Sequence, residues 1–141
     1  MATERETRAQ ADRQLCGLVN GLAKHIEAHL RVRASALGLT ASQGVALREL
    51  TGPMTLRDLA ERMSCEPSNA TFVADRLEEH GYIERRPHPD NRRAKQIVLT
   101  PEGAELRERL LDLLSEDSPL APLSPDEQDV LQRLLARALS P

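Results

Sequence analysis

The sequence predicts a mainly α-helical fold that carries one small β-hairpin, and two observations lead to this prediction. Apolar residues recur at helical spacing over most of the 141 residues, whereas β-prone residues cluster in one short stretch, Tyr82–Leu99. The segment 55–101 orders these signals as helix, turn, helix, strand, basic loop and strand. This order predicts a winged helix-turn-helix, in which one helix enters a DNA major groove and a cationic loop lies on the backbone beside it.

The first helix of this segment begins with a capping-box pattern. Thr55 followed by Asp58 offers a hydroxyl and a carboxylate that can accept hydrogen bonds from the free backbone N–H groups of a helix start. Its apolar stripe consists of Leu56, Leu59, Ala60 and Met63.

The second helix is predicted to be the recognition helix, about five residues further on. Glu66-Pro67 marks its start, because proline is tolerated at the first helical position, and Gly81 suits the left-handed residue that follows its end. The buried stripe consists of Ala70, Val73, Ala74 and Leu77. The outward residues are Ser68, Asn69, Thr71, Phe72, Asp75 and Arg76.

The hairpin loop concentrates positive charge in a chain whose formal net charge is −3. Its return strand is predicted over Gln96–Leu99. Five cations oppose the single carboxylate of Asp90, and they are Arg85, Arg86, Arg92, Arg93 and Lys95. An overall pI near 5.8 argues against indiscriminate polyanion binding, whereas this local excess favours a directed phosphate contact, with Arg85 and Arg86 as candidates. The alternative for an isolated loop of this kind is a solvated basic hairpin.

The residues from Leu39 to Gly103 resemble the MarR family of winged-helix regulators. The resemblance rests on several short motifs in order, namely GLTASQ, LAERM, RLEEHGYIERR, DNRRA and VLTPEG. It implies a homodimer that binds a palindromic site in double-stranded promoter DNA, usually as a repressor that a small ligand or an oxidant releases. No cofactor is expected.

The resemblance also assigns the DNA contacts. It implies that Thr55 and Arg57 contact phosphates, which position a protein without specifying sequence. The residues that match the major-groove face of the recognition helix are Ser68, Asn69, Thr71, Phe72 and Arg76. Asn69 suits adenine, Arg76 suits guanine or a phosphate, and Phe72 suits a thymine methyl group. Glu66 departs from the small hydroxyl residue that is usual at the helix start, and its carboxylate would repel nearby phosphate.

Arg93 matches the wing-tip arginine that enters the minor groove in the family, and Arg92 and Lys95 lie beside it. A guanidinium is planar and weakly hydrated, which suits a narrow electronegative groove. The family usually carries an aspartate two residues before this arginine, whereas this chain has Asn91 there, next to Asp90. Because Asn91 adds no charge, we expect looser positioning of the arginine.

The flanking segments 8–36 and 102–139 are predicted to be dimerisation helices around a DNA-binding lobe at 40–100, all within one MarR-type domain that spans 1–141. Their apolar faces include Leu15, Leu18, Val19, Leu22, Ile26, Leu30, Leu106, Leu110, Val130, Leu131, Leu134, Leu135 and Leu139. Capping-box patterns begin the helices at Thr40 and Ser124. A winged-helix core leaves these faces uncovered, which favours a two-fold dimer. The alternative is intrachain packing in a monomer.

Two side-chain groups on the first helix are candidates for sensing. Cys16 is similar in position to the reactive cysteine of the organic-hydroperoxide-sensing branch, but the only tyrosine, Tyr82, lies outside the segments that activate that thiol. A peroxide sensor and a buried structural cysteine both remain open, and Cys65 is interpreted as a packing residue. His25 and His29, four residues apart, are weak metal candidates, because a solvated or inter-helix polar pair is the better explanation, and no metal is predicted.

Other function classes find little support in the sequence. No phosphate-binding glycine loop, nucleophile elbow or paired-carboxylate site is present, so we expect no enzyme activity. No apolar run is long enough for a membrane helix, and two cysteines without metal-like spacing suggest a reduced cytoplasm. A small apolar or phenolic effector has no residue-level signature. A winged helix used only for protein assembly is the competing class, and it would not need Arg92, Arg93 and Lys95.

Overall fold

The computed structural model describes all 141 residues and confirms the mainly helical fold with one antiparallel hairpin. The elements are α1 (Glu4–Ala36), α2 (Ala41–Glu49), α3 (Leu56–Met63), α4 (Pro67–Glu79), β1 (Ile83–Pro87), β2 (Lys95–Leu99), α5 (Pro101–Ser115) and α6 (Pro125–Leu139). No helix is both long and apolar enough to cross a membrane.

The predicted bounds of α1 were too short at its start, which is Glu4 rather than about residue 8. The reason is a capping pair at the very beginning of the chain. The Thr3 hydroxyl accepts from the Glu6 backbone N–H at 3.1 Å, and the Glu6 carboxylate accepts from the Thr3 N–H at 2.9 Å. These bonds satisfy N–H groups that a helix start leaves free, so the helix extends into a segment without apolar residues.

The spacing between α3 and α4 was also overestimated. The helices are separated by three residues, 64–66, because Ser64 adopts a left-handed conformation with φ of 54° and turns the chain sharply. Pro67 is the first residue of α4, as predicted, and Glu66 precedes it without a side-chain capping bond. The predicted capping boxes at Thr40, Thr55 and Ser124 are confirmed.

The end of α4 is closed by a Schellman arrangement around Gly81, whose φ is 79°. The Gly81 N–H donates to the Glu78 carbonyl at 3.0 Å, and the Tyr82 N–H donates to the Leu77 carbonyl at 2.9 Å. Glycine carries no Cβ to oppose this left-handed conformation. The chain therefore leaves α4 directly into β1, as the sequence predicted.

The chain divides into two compact units, which we call the central unit (Leu30–Glu116) and the terminal unit (Met1–His29 with Asp117–Pro141). The central unit holds a closed core formed by α2, α3, α4, the hairpin and α5. Its fully buried side chains are Leu30, Leu47, Leu50, Leu59, Leu77, Ile83, Ile97 and Leu110. Burial of this kind is the main source of stability in a domain of this size.

The terminal unit has no comparable core. Every residue from 1 to 20 is exposed in the single chain, and α6 contains no buried residue. Large apolar side chains face solvent there, with exposed fractions of 62% for Leu15, 72% for Leu18 and 84% for Leu139. An apolar cavity of about 540 Å³ opens within this unit between α1 and α6, against Leu22, Ile26 and Leu135.

The base of the hairpin is fastened to its neighbours on both sides. The Thr100 hydroxyl donates to the Gly81 carbonyl at 2.6 Å and accepts from the Gly103 N–H at 3.0 Å. A Cβ at Gly103 would lie 1.9 Å from the Tyr82 carbonyl oxygen, so only glycine fits. On the other side, Ile97 exchanges two backbone hydrogen bonds with Met54, just before α3. These contacts fix the root of the wing to the helix-turn-helix.

Candidate nucleic-acid interface

The outer face of α4 carries a row of four exposed side chains. At 100° per residue, Ser68, Phe72, Asp75 and Glu79 fall within one narrow stripe opposite the buried Ala70, Val73, Ala74 and Leu77. Phe72 is 61% exposed, although it is the only phenylalanine in the chain. Phe72 therefore belongs to the exposed face of α4 and not to the core.

Asn69 and Arg76 lie on one flank of this row, and both are exposed. The Arg76 guanidinium carbon lies 5.2 Å from the centroid of the Phe72 ring, and its Nη1 lies 3.7 Å from the Glu79 carboxylate. The cation–π contact and the ion pair hold this arginine along the helix. Thr71 is on the opposite flank, half-buried, and its hydroxyl donates to the Pro67 carbonyl at 2.9 Å.

A cavity of about 710 Å³ adjoins the Asn69 and Arg76 flank. Its lining residues are Gly38, Thr40, Ser42, Gln43, Met63, Cys65, Asn69, Phe72, Val73, Arg76 and His80. The volume is within the range of small-molecule sites. Three of the predicted groove residues thus belong to the wall of this cavity as well as to the exposed face of α4.

The wing tip is closed by a compact set of hydrogen bonds between His88 and Ala94. The His88 N–H donates to the Ala94 carbonyl and the Ala94 N–H donates to the Asn91 carbonyl, each at 3.0 Å. The Asn91 side-chain oxygen accepts from the backbone N–H of Arg93 at 3.1 Å. Asn91 therefore orients Arg93 through its backbone, a role that the sequence comparison with the usual aspartate did not suggest.

Three cations at the wing are exposed and have no carboxylate partner: Arg92, Arg93 and Lys95. They share the loop with Asp90, whose backbone N–H donates to the His88 ring nitrogen Nδ1 at 3.0 Å. A cluster of like charges without internal neutralisation produces a local positive potential. The three cations therefore form an exposed patch of positive charge at the wing tip.

Arg85 and Arg86 differ from the tip residues because each is engaged with a carboxylate. The Arg85 Nη2 pairs with the Asp75 carboxylate on α4, and the Arg86 Nη2 lies 2.9 Å from the Glu84 carboxylate on the same strand. The alternation of β1 places Arg85 on the face of the buried Ile83 and Arg86 on the opposite face. The sequence analysis predicted both as phosphate contacts and did not identify Asp75 as a partner.

The start of α3 presents the other two predicted phosphate contacts. Arg57 is exposed in the first turn, and the Thr55 hydroxyl accepts from the Asp58 N–H at 3.1 Å. The hydroxyl hydrogen of Thr55 is still available to donate to an anion, because capping uses only an acceptor lone pair. Both residues therefore lie at a helix N-terminus, where the aligned backbone dipoles favour negative charge.

Two arginines that the sequence analysis missed position the helices behind this surface. Arg107 on α5 donates to the Leu47 carbonyl at 2.8 Å and to the Arg48 carbonyl at 3.0 Å. Arg62 on α3 donates to the Glu49 carbonyl at 3.3 Å. Both therefore satisfy free carbonyls at the negative end of α2. The sequence showed that both residues are cations, but it did not show that they bind carbonyls of another element, α2.

The sensing candidates Cys16, His25 and His29 all belong to the terminal unit. Cys16 is exposed in the single chain, so its interpretation as a buried residue is wrong there, and its closest polar contact is the Asp12 carboxylate at 4.0 Å. A carboxylate is not the donor or positive neighbour that activates a thiolate. His25 is exposed and His29 is half-buried, and no group of three metal-type ligands converges anywhere in the chain. Cys65 is half-buried beside α4.

Sequence comparisons identify relatives of this chain. The MarR family profile matches residues 39–95. The multiple antibiotic resistance protein MarR of Salmonella typhimurium is 32% identical over 110 residues, which cover 74% of this chain and 76% of that protein. A helix-turn-helix transcriptional regulator of Mycobacterium tuberculosis is 30% identical over 86% of this chain and 88% of that protein. An uncharacterised regulator of Bacillus subtilis is 34% identical, but this chain covers only 58% of it.

The fold agrees with these sequence matches. A solved structure of a MarR variant from E. coli, complexed with operator DNA, is similar to this chain with a TM-score of 0.70 at 27% identity. The similarity covers 90% of this chain and 94% of that chain, so it includes the helices on either side of the winged helix. On the matches in sequence and in fold together, this chain belongs to the MarR family.

Proposed function

We propose that this chain is a homodimeric transcriptional regulator that binds a palindromic site in double-stranded promoter DNA. It represses its own or a nearby gene, and a small ligand releases it. The observation that carries the proposal is the exposed face of α4 beside a wing tip with three unpartnered cations, Arg92, Arg93 and Lys95. Cations without internal partners can bind phosphates at little cost, and the released counterions favour binding.

The exposed face of α4 supplies the sequence readout in this proposal. The assigned major-groove residues are Ser68, Asn69, Thr71, Phe72 and Arg76. Asn69 can form two hydrogen bonds with adenine, Arg76 can do so with guanine, and Phe72 can contact a thymine methyl group. Thr71 contributes from the edge of the face, since its hydroxyl donates within the helix.

The wing and the start of α3 supply the positioning contacts. Arg93 is assigned to the minor groove because it matches the wing-tip arginine of the family, and Arg92 and Lys95 lie beside it. The Asn91 side chain supports this assignment, since it holds the backbone of Arg93 at the tip. Thr55, Arg57 and Arg86 are assigned to phosphates, which fix the register of the protein without reading the sequence. For Arg86 this requires exchange of its exposed pair with Glu84, which is worth little in water.

Homodimerisation is proposed from the uncovered apolar faces of the terminal unit. Residues 1–20 are all exposed within the single chain, although α1 is 33 residues long. Most helical stability in proteins comes from packing of an apolar face, so Leu15 and Leu18 need a partner surface. A second copy supplies one, and it also places two recognition helices on the two halves of a palindromic site.

Control by a small ligand is proposed from the cavity beside α4. A molecule in this cavity would contact Asn69, Phe72 and Arg76, which the proposal assigns to DNA. Ligand and DNA would then compete for the same side chains, and a ligand can shift the protein away from DNA only by such a difference in affinity. The competing function, a winged helix used only for protein assembly, gives the unpartnered cations of the wing no role, and we therefore favour DNA binding.

Fluorescence anisotropy with a duplex that the wild-type protein selects from a randomised pool tests the proposal. Arg93→Ala should weaken binding by roughly 1–3 kcal/mol and reduce the salt dependence by about one counterion. Arg109→Ala removes the same charge from an exposed position on α5 and should bind like the wild type. Failure to select any duplex would refute the function, and unchanged binding by Arg93→Ala would refute the wing assignment.

A further inference from the structure

The outermost row of the recognition helix contains two carboxylates, those of Asp75 and Glu79, which face away from the core. A carboxylate on a DNA-facing surface is repelled by phosphates. Each of the two is held by an arginine, Glu79 by Arg76 and Asp75 by Arg85. The first pair lies within α4, whereas the second connects α4 to the hairpin.

The ion pair joins α4 to the hairpin near the fixed end of the hairpin, because of the position of Arg85. Arg85 is paired across the hairpin with Ile97, which is bonded to Met54 and is only 2% exposed. The rooted end of the hairpin therefore carries Arg85, and the free tip with Arg93 extends beyond it. The buried side chains of α4 and the two strands pack in one core, and this ion pair is the side-chain polar contact that joins α4 to the strands outside it.

We propose that the Asp75–Arg85 ion pair is a strut that stiffens the angle between the recognition helix and the wing, which the buried core holds, and that Arg85 is a positioning residue rather than a phosphate contact. The inference rests on the proposed function, because the angle matters only when α4 and the wing engage one duplex together. Two linked contacts reinforce each other only when the geometry lets both form at once. A looser angle weakens the second contact without removing either set of DNA-contacting side chains.

The strut acts on specificity more than on general affinity. Binding to random DNA depends mainly on the number of cations near phosphates and tolerates a variable angle. Binding to a selected site requires the side chains of α4 to meet particular base edges while the wing is docked. Loss of the strut should therefore lower the ratio of the two affinities.

The test compares Asp75→Asn with Glu84→Gln in full-length protein. Each variant removes one carboxylate and frees one hairpin arginine, so their charges are identical, but only Asp75 connects two elements. The probes are the duplex that wild-type protein selects from a randomised pool and a random duplex of equal length. Asp75→Asn should lower the affinity ratio by roughly two- to fivefold, the range of an exposed ion pair, while Glu84→Gln leaves it unchanged. Asp75→Glu, which keeps the pair, should behave like the wild type.

If Arg85 is instead a phosphate contact, the affinity for DNA should change in the opposite direction. If Arg85 binds phosphate and Asp75 merely competes for it, Asp75→Asn frees the arginine and tightens binding to both duplexes alike. That result, or equal changes in Asp75→Asn and Glu84→Gln, would overturn the strut.

A DNA-free measurement separates failure of the strut from failure of the proposed function. Amide hydrogen exchange at Ile97, whose N–H donates to Met54 at 2.7 Å, reports opening of the hairpin root. Asp75→Asn should accelerate this exchange about two- to fivefold relative to Glu84→Gln. Equal exchange in the two variants would overturn the strut, whether or not any duplex is selected.

Discussion

The central and terminal units are both rich in leucine, but the central unit buries its leucine side chains and the terminal unit exposes several of them. Leu47, Leu59 and Leu77 in the central unit are fully buried, whereas Leu18 and Leu139 in the terminal unit are 72% and 84% exposed. All of them occur at helical spacing, so the sequence pattern is the same in both units. Periodicity thus identifies an apolar face, but not whether the same chain covers it. The central unit buries its apolar faces within one chain, whereas the terminal unit leaves large apolar side chains exposed.

The largest expected effect comes from the core of the central unit. Leu47→Ala should lower the free energy of unfolding by roughly 2–5 kcal/mol, because the side chain is fully buried and its removal leaves a cavity. Urea unfolding monitored by circular dichroism measures this loss, which should be the same at every protein concentration. A loss that disappeared at high concentration would mean that this core, too, depends on a partner.

Leu134→Ala tests the terminal unit in the same way, by truncating a leucine there. Leu134 is 54% exposed on α6 in the single chain, so its truncation should act on association rather than on the core. We expect a midpoint that falls below the wild-type value as the protein is diluted, since assembly stabilises by mass action. A concentration-independent loss equal to that of Leu47→Ala would contradict the division between the units.

A smaller effect is expected from the joint between α5 and the hairpin. Gly103→Ala places a Cβ at 1.9 Å from the Tyr82 carbonyl oxygen, and the backbone shift that follows should cost roughly 1–3 kcal/mol. Gly52→Ala is the matched control, because nothing lies within 4 Å of its added Cβ, and it should change stability by less than about 0.5 kcal/mol. Thermal unfolding of both variants measures this difference in stability. Equal midpoints would refute the close packing of Gly103 against Tyr82.

The smallest effects are expected from helix caps in the two units. Thr100→Ala removes a buried hydroxyl that bonds to both Gly81 and Gly103, and should cost roughly 1–2 kcal/mol. Ser124→Ala removes an exposed cap at the start of α6 and should cost about 0.5–1 kcal/mol. Chemical denaturation at high protein concentration compares them. A larger loss for Ser124→Ala would reverse the expected order.

Sequence reasoning succeeded where the determining contacts are local. The capping boxes at Thr40, Thr55 and Ser124, the start of α4 at Pro67 and the left-handed Gly81 each depend on residues a few positions apart. The missed start of α1 was local as well. Thr3 and Glu6 carried the capping signal, but no apolar residue nearby drew attention to it.

The features that sequence reasoning missed depend on side chains brought together from separate elements. Asp75 and Arg85 lie ten positions apart across a turn, and Arg107 binds carbonyls about sixty positions away. Their charges were visible, but charge alone does not distinguish an internal pair from a phosphate contact. The exposure of Cys16 has a related cause, because burial on α1 depends on what covers the helix and not on its own pattern.

Sedimentation velocity of the full chain, alone and with the selected duplex, tests the central claim most directly. The account predicts a particle with twice the 15.7 kDa mass of one chain at micromolar concentration, and one such dimer on each duplex. A 15.7 kDa monomer that keeps its terminal helices folded, or one chain bound to each duplex, would contradict it.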